Sequence, residues 1–238
     1  MPIPTQKARL VSTREMGTPH IRELVLEPLE KPIAFRPGQW ISLRLPVGER
    51  PPLNRAYSMA EPQAGSGRLV LCLDLVANGL GSTYLFSLEA GAELTFAGPF
   101  GNFVVPEPLE RALVLVARYT GIVPIRCILK KLFAEDFPLG VTLVYGCRMV
   151  EDFVYHGEFA AWSAERQNFR YIPTLLGPDG GFQGERRAEV EVLREVVPEG
   201  RDYLPMVCGL REFIQPVRAF FQEERGFGRR EVKVEHYD

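Results

Sequence analysis

Along its first hundred residues the chain alternates apolar and polar positions in short runs. KARLVSTR (Lys7–Arg14), IRELVLE (Ile21–Glu27), QWISLRL (Gln39–Leu45) and RLVLCLDLV (Arg68–Val76) carry the period of two expected of half-buried strands. The turn-forming clusters FRPGQ, RLPVGERPPLN and EPQAGSG separate these runs. The pattern predicts an antiparallel sheet closed as a barrel over Lys7–Ala97. One short helix is expected to interrupt it, capped by Ser82 or Thr83 and ended by Gly91. After VVPEPLER (Val104–Arg111) the rhythm changes to apolar strand-like runs alternating with helical ones. The predicted strands are Ala112–Ala117, Val141–Tyr145, Phe169–Pro173, Tyr203–Cys208 and Glu231–His236. Ile125, Ile128, Leu129, Leu132 and Phe133 recur at helical spacing between the first two, and Phe213, Val217, Phe220 and Phe221 do so before the last. This alternation implies a parallel sheet wound on both faces. Two domains are therefore expected, residues 1–105 as a barrel and 109–238 as an α/β domain.

Composition narrows the class. A chain of 238 residues, 46% apolar, can fill two small cores. A formal charge of −2 from 28 basic and 30 acidic residues offers no cationic field for nucleic acid. Cys72, Cys127, Cys147 and Cys208 lie far apart with no ligand-spaced histidines, which argues against a metal centre and fits reduced thiols. The start MPIPTQKARL lacks an apolar signal core, and no apolar run is long enough to span a bilayer, so a cytoplasmic protein without membrane insertion is expected.

Four stretches carry candidate chemistry. RAYSMAEP (Arg55–Pro62) places a cation, an aromatic ring and a hydroxyl on one strand, with Arg55 and Tyr57 on one face and Ser58 on the other. Such a set suits a flat heterocycle bearing a phosphate, although a core tyrosine beside a solvated arginine reads the same way. In NGLGSTYLF, Gly79, Gly81, Ser82 and Thr83 open a helix and could seat an anion; ordinary capping uses the same residues. AGPFGNF (Ala97–Phe103) is a turn. LVLVARYTGIVPIRCIL (Leu113–Leu129) runs a strand through a tight turn into a helix.

Their order, RxYS, GxGS, GPFG, TGIxP and then YLPMVCG, resembles the ferredoxin-NADP reductase-type flavoprotein oxidoreductases over nearly the whole chain. The resemblance implies a six-stranded barrel holding FAD, less often FMN, and an α/β domain with a five-stranded parallel sheet taking NADH or NADPH. It implies that Arg55 pairs with a flavin phosphate, that Tyr57 packs on the isoalloxazine, that Ser58 approaches N5, and that Ala56 lies between them in the flavin site. Gly79, Gly81, Ser82 and Thr83 would serve the phosphates. Thr120, Gly121 and Gly209 would border the nucleotide, Cys208 and Glu235 would flank the hydride path, and Tyr237 would shield the flavin. The implied acceptor is a ferredoxin, a flavodoxin or another electron acceptor, with oligomeric state left open.

The sequence also departs from the family. Arg118 and Tyr119 stand where a small pair is usual, and CGLREF replaces a Cys-Gly-Pro loop. Arg118 could reach the pyrophosphate, or the two side chains could fill its space. TLLGPDGG lacks the Ser-Arg pair that often meets a 2'-phosphate, leaving Arg148, Arg186 and Arg187 as substitutes and a slight lean to NADH. Asp238 extends past the usual terminal tyrosine. These departures support the alternative of a flavin-binding electron-transfer or regulatory subunit that does not use NAD(P)H.

Overall fold

The structure, a computed structural model, describes residues 4–48, 51–63, 65–178 and 181–237. Parts of the RLPVGERPPLN, EPQAGSG and TLLGPDGG stretches, and Asp238, lie outside the described residues. Two compact units result: Met1–Val105 with Arg126–Glu135, and Pro106–Ile125 with Asp136–Asp238.

The first unit contains β1 (Thr5–Glu15), β2 (Ile21–Pro28), β3 (Trp40–Leu45), β4 (Leu53–Ser58), β5 (Leu69–Asp74), α1 (Leu80–Phe86) and β6 (Glu93–Phe100). All strand pairs are antiparallel, in the order β4-β3-β6-β1-β2-β5. The Met59↔Leu71 bridge and the Ala60 N–H bond to Val70 O (2.7 Å) join the two ends of the sheet. The period of two sets which side chains go in. On β3, Ile41, Leu43 and Leu45 are fully buried, whereas Arg44 is exposed. With Leu24, Leu26, Leu71, Phe96 and Leu85 of α1 they form one core, each fully buried leucine contributing about 1.5–3 kcal/mol.

The helix in this unit starts earlier than capping chemistry predicts. Gly79 is the N-cap and makes no side-chain cap bond. The Ser82 hydroxyl lies inside α1, where it accepts the Val76 N–H (3.1 Å) and donates to Gly79 O (3.1 Å). It closes the loop before the helix, a reversal already turned by Asn78 at φ 60°. Thr83 is the fourth helical residue and its N–H bonds to Gly79 O (3.0 Å). At the other end α1 stops at Phe86, and Gly91 falls in the turn before β6.

The second unit is a five-stranded parallel sheet of β7 (Ala112–Arg118), β8 (Val141–Cys147), β9 (Phe169–Leu175), β10 (Tyr203–Gly209) and β11 (Lys233–His236), ordered β11-β10-β7-β8-β9. Its helices include α3 (His156–Glu165), α4 (Glu189–Val196) and α5 (Arg211–Ala219), while α2 (Ile122–Ala134) follows β7. The apolar periodicities are core faces: Ile125, Ile128, Leu129, Phe213, Val217, Phe220 and Phe221 are buried. The first four strands run one or two residues past their expected ends, because small or polar residues such as Gly146, Thr174 and Gly209 still pair in the ladder. The last begins at Lys233 instead of Glu231, since Glu231 closes a turn by accepting the Gly228 N–H (2.6 Å). The chain leaves β7 toward β8 and β9, then returns to build β10 and β11 on the other side. Beside β7 and β10 the order reverses, and at their carboxyl ends such a sheet opens a crevice.

Candidate functional site

In the first unit, strand register decides where the RAYS residues point. Paired residues in an antiparallel ladder share a face. Arg55 and Tyr57 lie opposite Leu43 and Ile41, Ala56 and Ser58 opposite Ser42 and Trp40. The sequence expectation for these faces is met: Tyr57 packs against the barrel core, and Ser58 is buried on the other side. Burial pushes the Tyr57 phenol up to about 12, helped by Asp74 and opposed by the Arg55 charge, so it stays protonated at neutral pH. Arg55 is exposed, and among the described residues its one hydrogen bond runs from Nη1 to Asn54 O (2.9 Å), leaving most of the guanidinium's donors without a partner among them.

The start of α1 lies against that arginine. A Cβ on Gly81 would stand 3.2 Å from Arg55 Cγ and 3.1 Å from Leu45. The first turn of α1 holds no acidic residue, and its first N–H groups have no intrahelical acceptor. The stem of Arg55 thus lies against a glycine-lined helix start, on the strand face that also carries the half-buried Tyr57, a donor set fitting a phosphorylated aromatic cofactor. Ser82 contributes differently than expected, since its hydroxyl is committed to the loop. A separate groove of about 400 Å³ runs along the outer face of β3, lined by Trp40, Ser42, Arg44, Asn54 and Phe100. It takes the face opposite Arg55 and Tyr57.

In the second unit the turn after β7 meets the end of β10. A Cβ on Gly121 would sit 2.3 Å from Cys208 O, so only glycine permits this approach. Gly209 has φ 155°, and a Cβ there would strike the Phe213 ring at 2.7 Å. Thr120 is buried beside them. Cys208 is buried, and desolvation holds its thiol well above the usual range; Glu235 adds to this, and a Tyr237 hydrogen bond opposes it. Cys208 pairs with Glu235 across β10 and β11, and the Tyr237 N–H bonds to Gly209 O (2.9 Å). Burial raises the Glu235 carboxyl to about 7. The fold thus gathers Thr120, Gly121, Cys208, Gly209, Glu235 and Tyr237 at the switch point.

Arg118 ends β7 in the same place. Its Nε and Nη2 donate to the two oxygens of Glu189 at 2.8 and 2.5 Å, and its guanidinium lies 4.7 Å from the Phe213 ring centroid. Tyr119 follows at φ 55°, a left-handed conformation that costs a non-glycine residue about 1–2 kcal/mol. Glu189 was invisible in the sequence, where an acid at a helix start reads as a partner of the helix dipole. Phe213 reads there only as a core residue. Of the arginines considered for a 2'-phosphate, Arg187 is bound by Glu185 and Glu195, while Arg148 is exposed at the end of β8.

Known proteins carry the same two domain types in the same order. The oxidoreductase FAD-binding domain matches residues 11–105, and the oxidoreductase NAD-binding domain matches residues 115–219. Ferredoxin--NADP reductase B of Sorangium cellulosum is 36% identical over 241 positions, covering 98% of this chain and 97% of that protein. The chain belongs to the ferredoxin-NADP reductase family. As a family member it is an oxidoreductase enzyme, its first domain of the FAD-binding type and its second of the NAD-binding type. The aromatic O-demethylase reductase subunit of an Amycolatopsis species is 32% identical over 82% of this chain, which spans 59% of that subunit. Among solved structures, an Amycolatopsis cytochrome P450 reductase superposes with TM-score 0.84 at 27% identity, covering 99% of this chain and 70% of its own. The Neisseria gonorrhoeae ferredoxin NADP+ reductase shares the fold, with TM-score 0.83 at 18% identity over 98% of both chains.

Proposed function

We propose that residues 1–105 hold FAD and residues 109–238 take NADH or NADPH, and that this reductase passes electrons to a ferredoxin, a flavodoxin or a comparable carrier. Bound FAD supplies the step from a two-electron hydride donor to a one-electron acceptor. Arg55 holds a flavin phosphate through N–H groups that no carboxylate of the described residues occupies. Tyr57 offers its ring beside it, Ala56 and Ser58 continue the strand along the cofactor, and Gly79, Gly81, Ser82 and Thr83 bring the helix start close. In the second unit, Thr120, Gly121 and Gly209 form the walls of the nucleotide crevice. Cys208, as a neutral thiol, and Glu235, with its raised pKa, border the nicotinamide end together with Tyr237. Four buried free cysteines are consistent with a reducing cytoplasm. No helix of the described residues is long and apolar enough to cross a membrane.

The observation that carries this reading is the exposed Arg55, whose stem lies against the start of α1. Purified protein reconstituted with FAD should lose flavin absorbance under anaerobic NADH or NADPH and regain it on adding an oxidised ferredoxin or flavodoxin. Reduction by nucleotide without reoxidation by either carrier would redirect the search to another acceptor.

A further inference from the structure

The crevice of the second unit contains a cation with one edge held and one edge presented. Glu189 is almost wholly buried, at 1% side-chain exposure, whereas Arg118 keeps 31%. The carboxylate occupies Nε and Nη2, and Phe213 covers the guanidinium near its carbon. Nη1 makes no hydrogen bond among the described residues. The carboxylate has a place because residue 146 is glycine: a Cβ there would lie 1.7 Å from Glu189 Oε1. Gly146 is itself the partner of Arg118 in the β7–β8 ladder, so the strand end that carries the base lies beside the glycine that admits the acid from the start of α4.

We propose that Arg118 is a ligand for the diphosphate of the nicotinamide nucleotide and that Glu189 is its positioning residue. The proposal rests on reading the switch-point crevice as the nucleotide site. A guanidinium offers five N–H donors in a rigid plane, and a pair made through one edge leaves the other edge's donors oriented. A planar cation aimed from a strand end suits phosphate oxygens, because its remaining donors are fixed in direction and can reach more than one of them. Its rotamer is fixed before the ligand arrives, which reduces the ordering cost of binding. The bulky turn thereby replaces close backbone approach with a side-chain contact.

The pair also shapes the test. Arg118→Met alone strands a buried carboxylate, so the informative variant is Arg118→Met with Glu189→Met, which removes both charges at similar volume. FAD-loaded wild type and variant are titrated calorimetrically with NAD+ and NADP+ at low and moderate salt. The double variant should bind both dinucleotides about tenfold or more weakly, with a flatter salt dependence. Glu189→Gln, with Arg118 intact, should raise the KM for the reduced nucleotide several-fold while kcat is kept, and it carries the test if the double variant does not fold. Unchanged affinity in a folded variant would make the pair structural, and tighter binding would make it an obstruction; either overturns the proposal. Wild-type protein that binds neither dinucleotide would instead remove the underlying reading, and this proposal with it.

Discussion

Each unit offers an arginine to phosphate chemistry, and the two are built in opposite ways. Arg55 stands exposed on β4 with, among the described residues, a single bond to the neighbouring Asn54 carbonyl. Arg118 ends β7 with a buried carboxylate on one edge and a phenyl ring on its face. The first retains all but one of its donors but must be ordered by its ligand; the second is ordered in advance and has already spent two donors. A cation's value to a ligand therefore depends on what it is tied to, which residue type alone does not disclose. The glycines differ in parallel. Gly81 would press on flexible side chains at 3.1–3.3 Å, whereas Gly121 would press on the Cys208 carbonyl oxygen at 2.3 Å.

The largest separation between the two arginines should appear in stability. Arg118→Met is expected to destabilise the protein by about 3–5 kcal/mol, by leaving Glu189 buried and unpaired. Arg55→Met should stay within about 0.5 kcal/mol, as an exposed side chain. Urea melts of both variants measure this, and equal losses would erase the contrast. The order reverses for the flavin: Arg55→Ala should lose about 1.5–3 kcal/mol of FAD binding, read as cofactor lost on gel filtration.

Next come the glycines. Gly121→Ala should cost about 1–3 kcal/mol because backbone must move, and Gly81→Ala less, since side chains can give. Thermal melts of the two variants should rank them in that order. A pH slope in the second unit completes the contrast. Glu235 binds its proton more tightly folded, at about 7, than at its ordinary 4.5. Its contribution is therefore fully present below pH 4.5 and is lost as pH rises through 7. Glu235→Gln should flatten stability between pH 5 and 8, and an unchanged slope would place the titration elsewhere.

The sequence made the architecture legible because its cues are local and repeated. Alternation on β3 and the Ile125-to-Phe133 spacing on α2 each name a buried face without knowledge of the partner. The RAYS faces were legible for the same reason, period and register being one fact. The start of α1 was not: Ser82 has the chemistry of a cap, yet its hydroxyl is drawn back to the loop at Val76 and Gly79. Glu189 was hidden more deeply. It lies 71 positions from Arg118, and only parallel pairing that sets Arg118 beside Gly146 creates the space its carboxylate fills. Long-range pairs of this kind leave no periodic trace.

The most direct test of the account is an anaerobic spectral titration of the FAD-loaded protein with NADPH and NADH in turn. Bleaching of the flavin band by at least one of them, at stoichiometric concentration, is the expected result. A protein that retains bound FAD yet stays fully oxidised under an excess of both would contradict it.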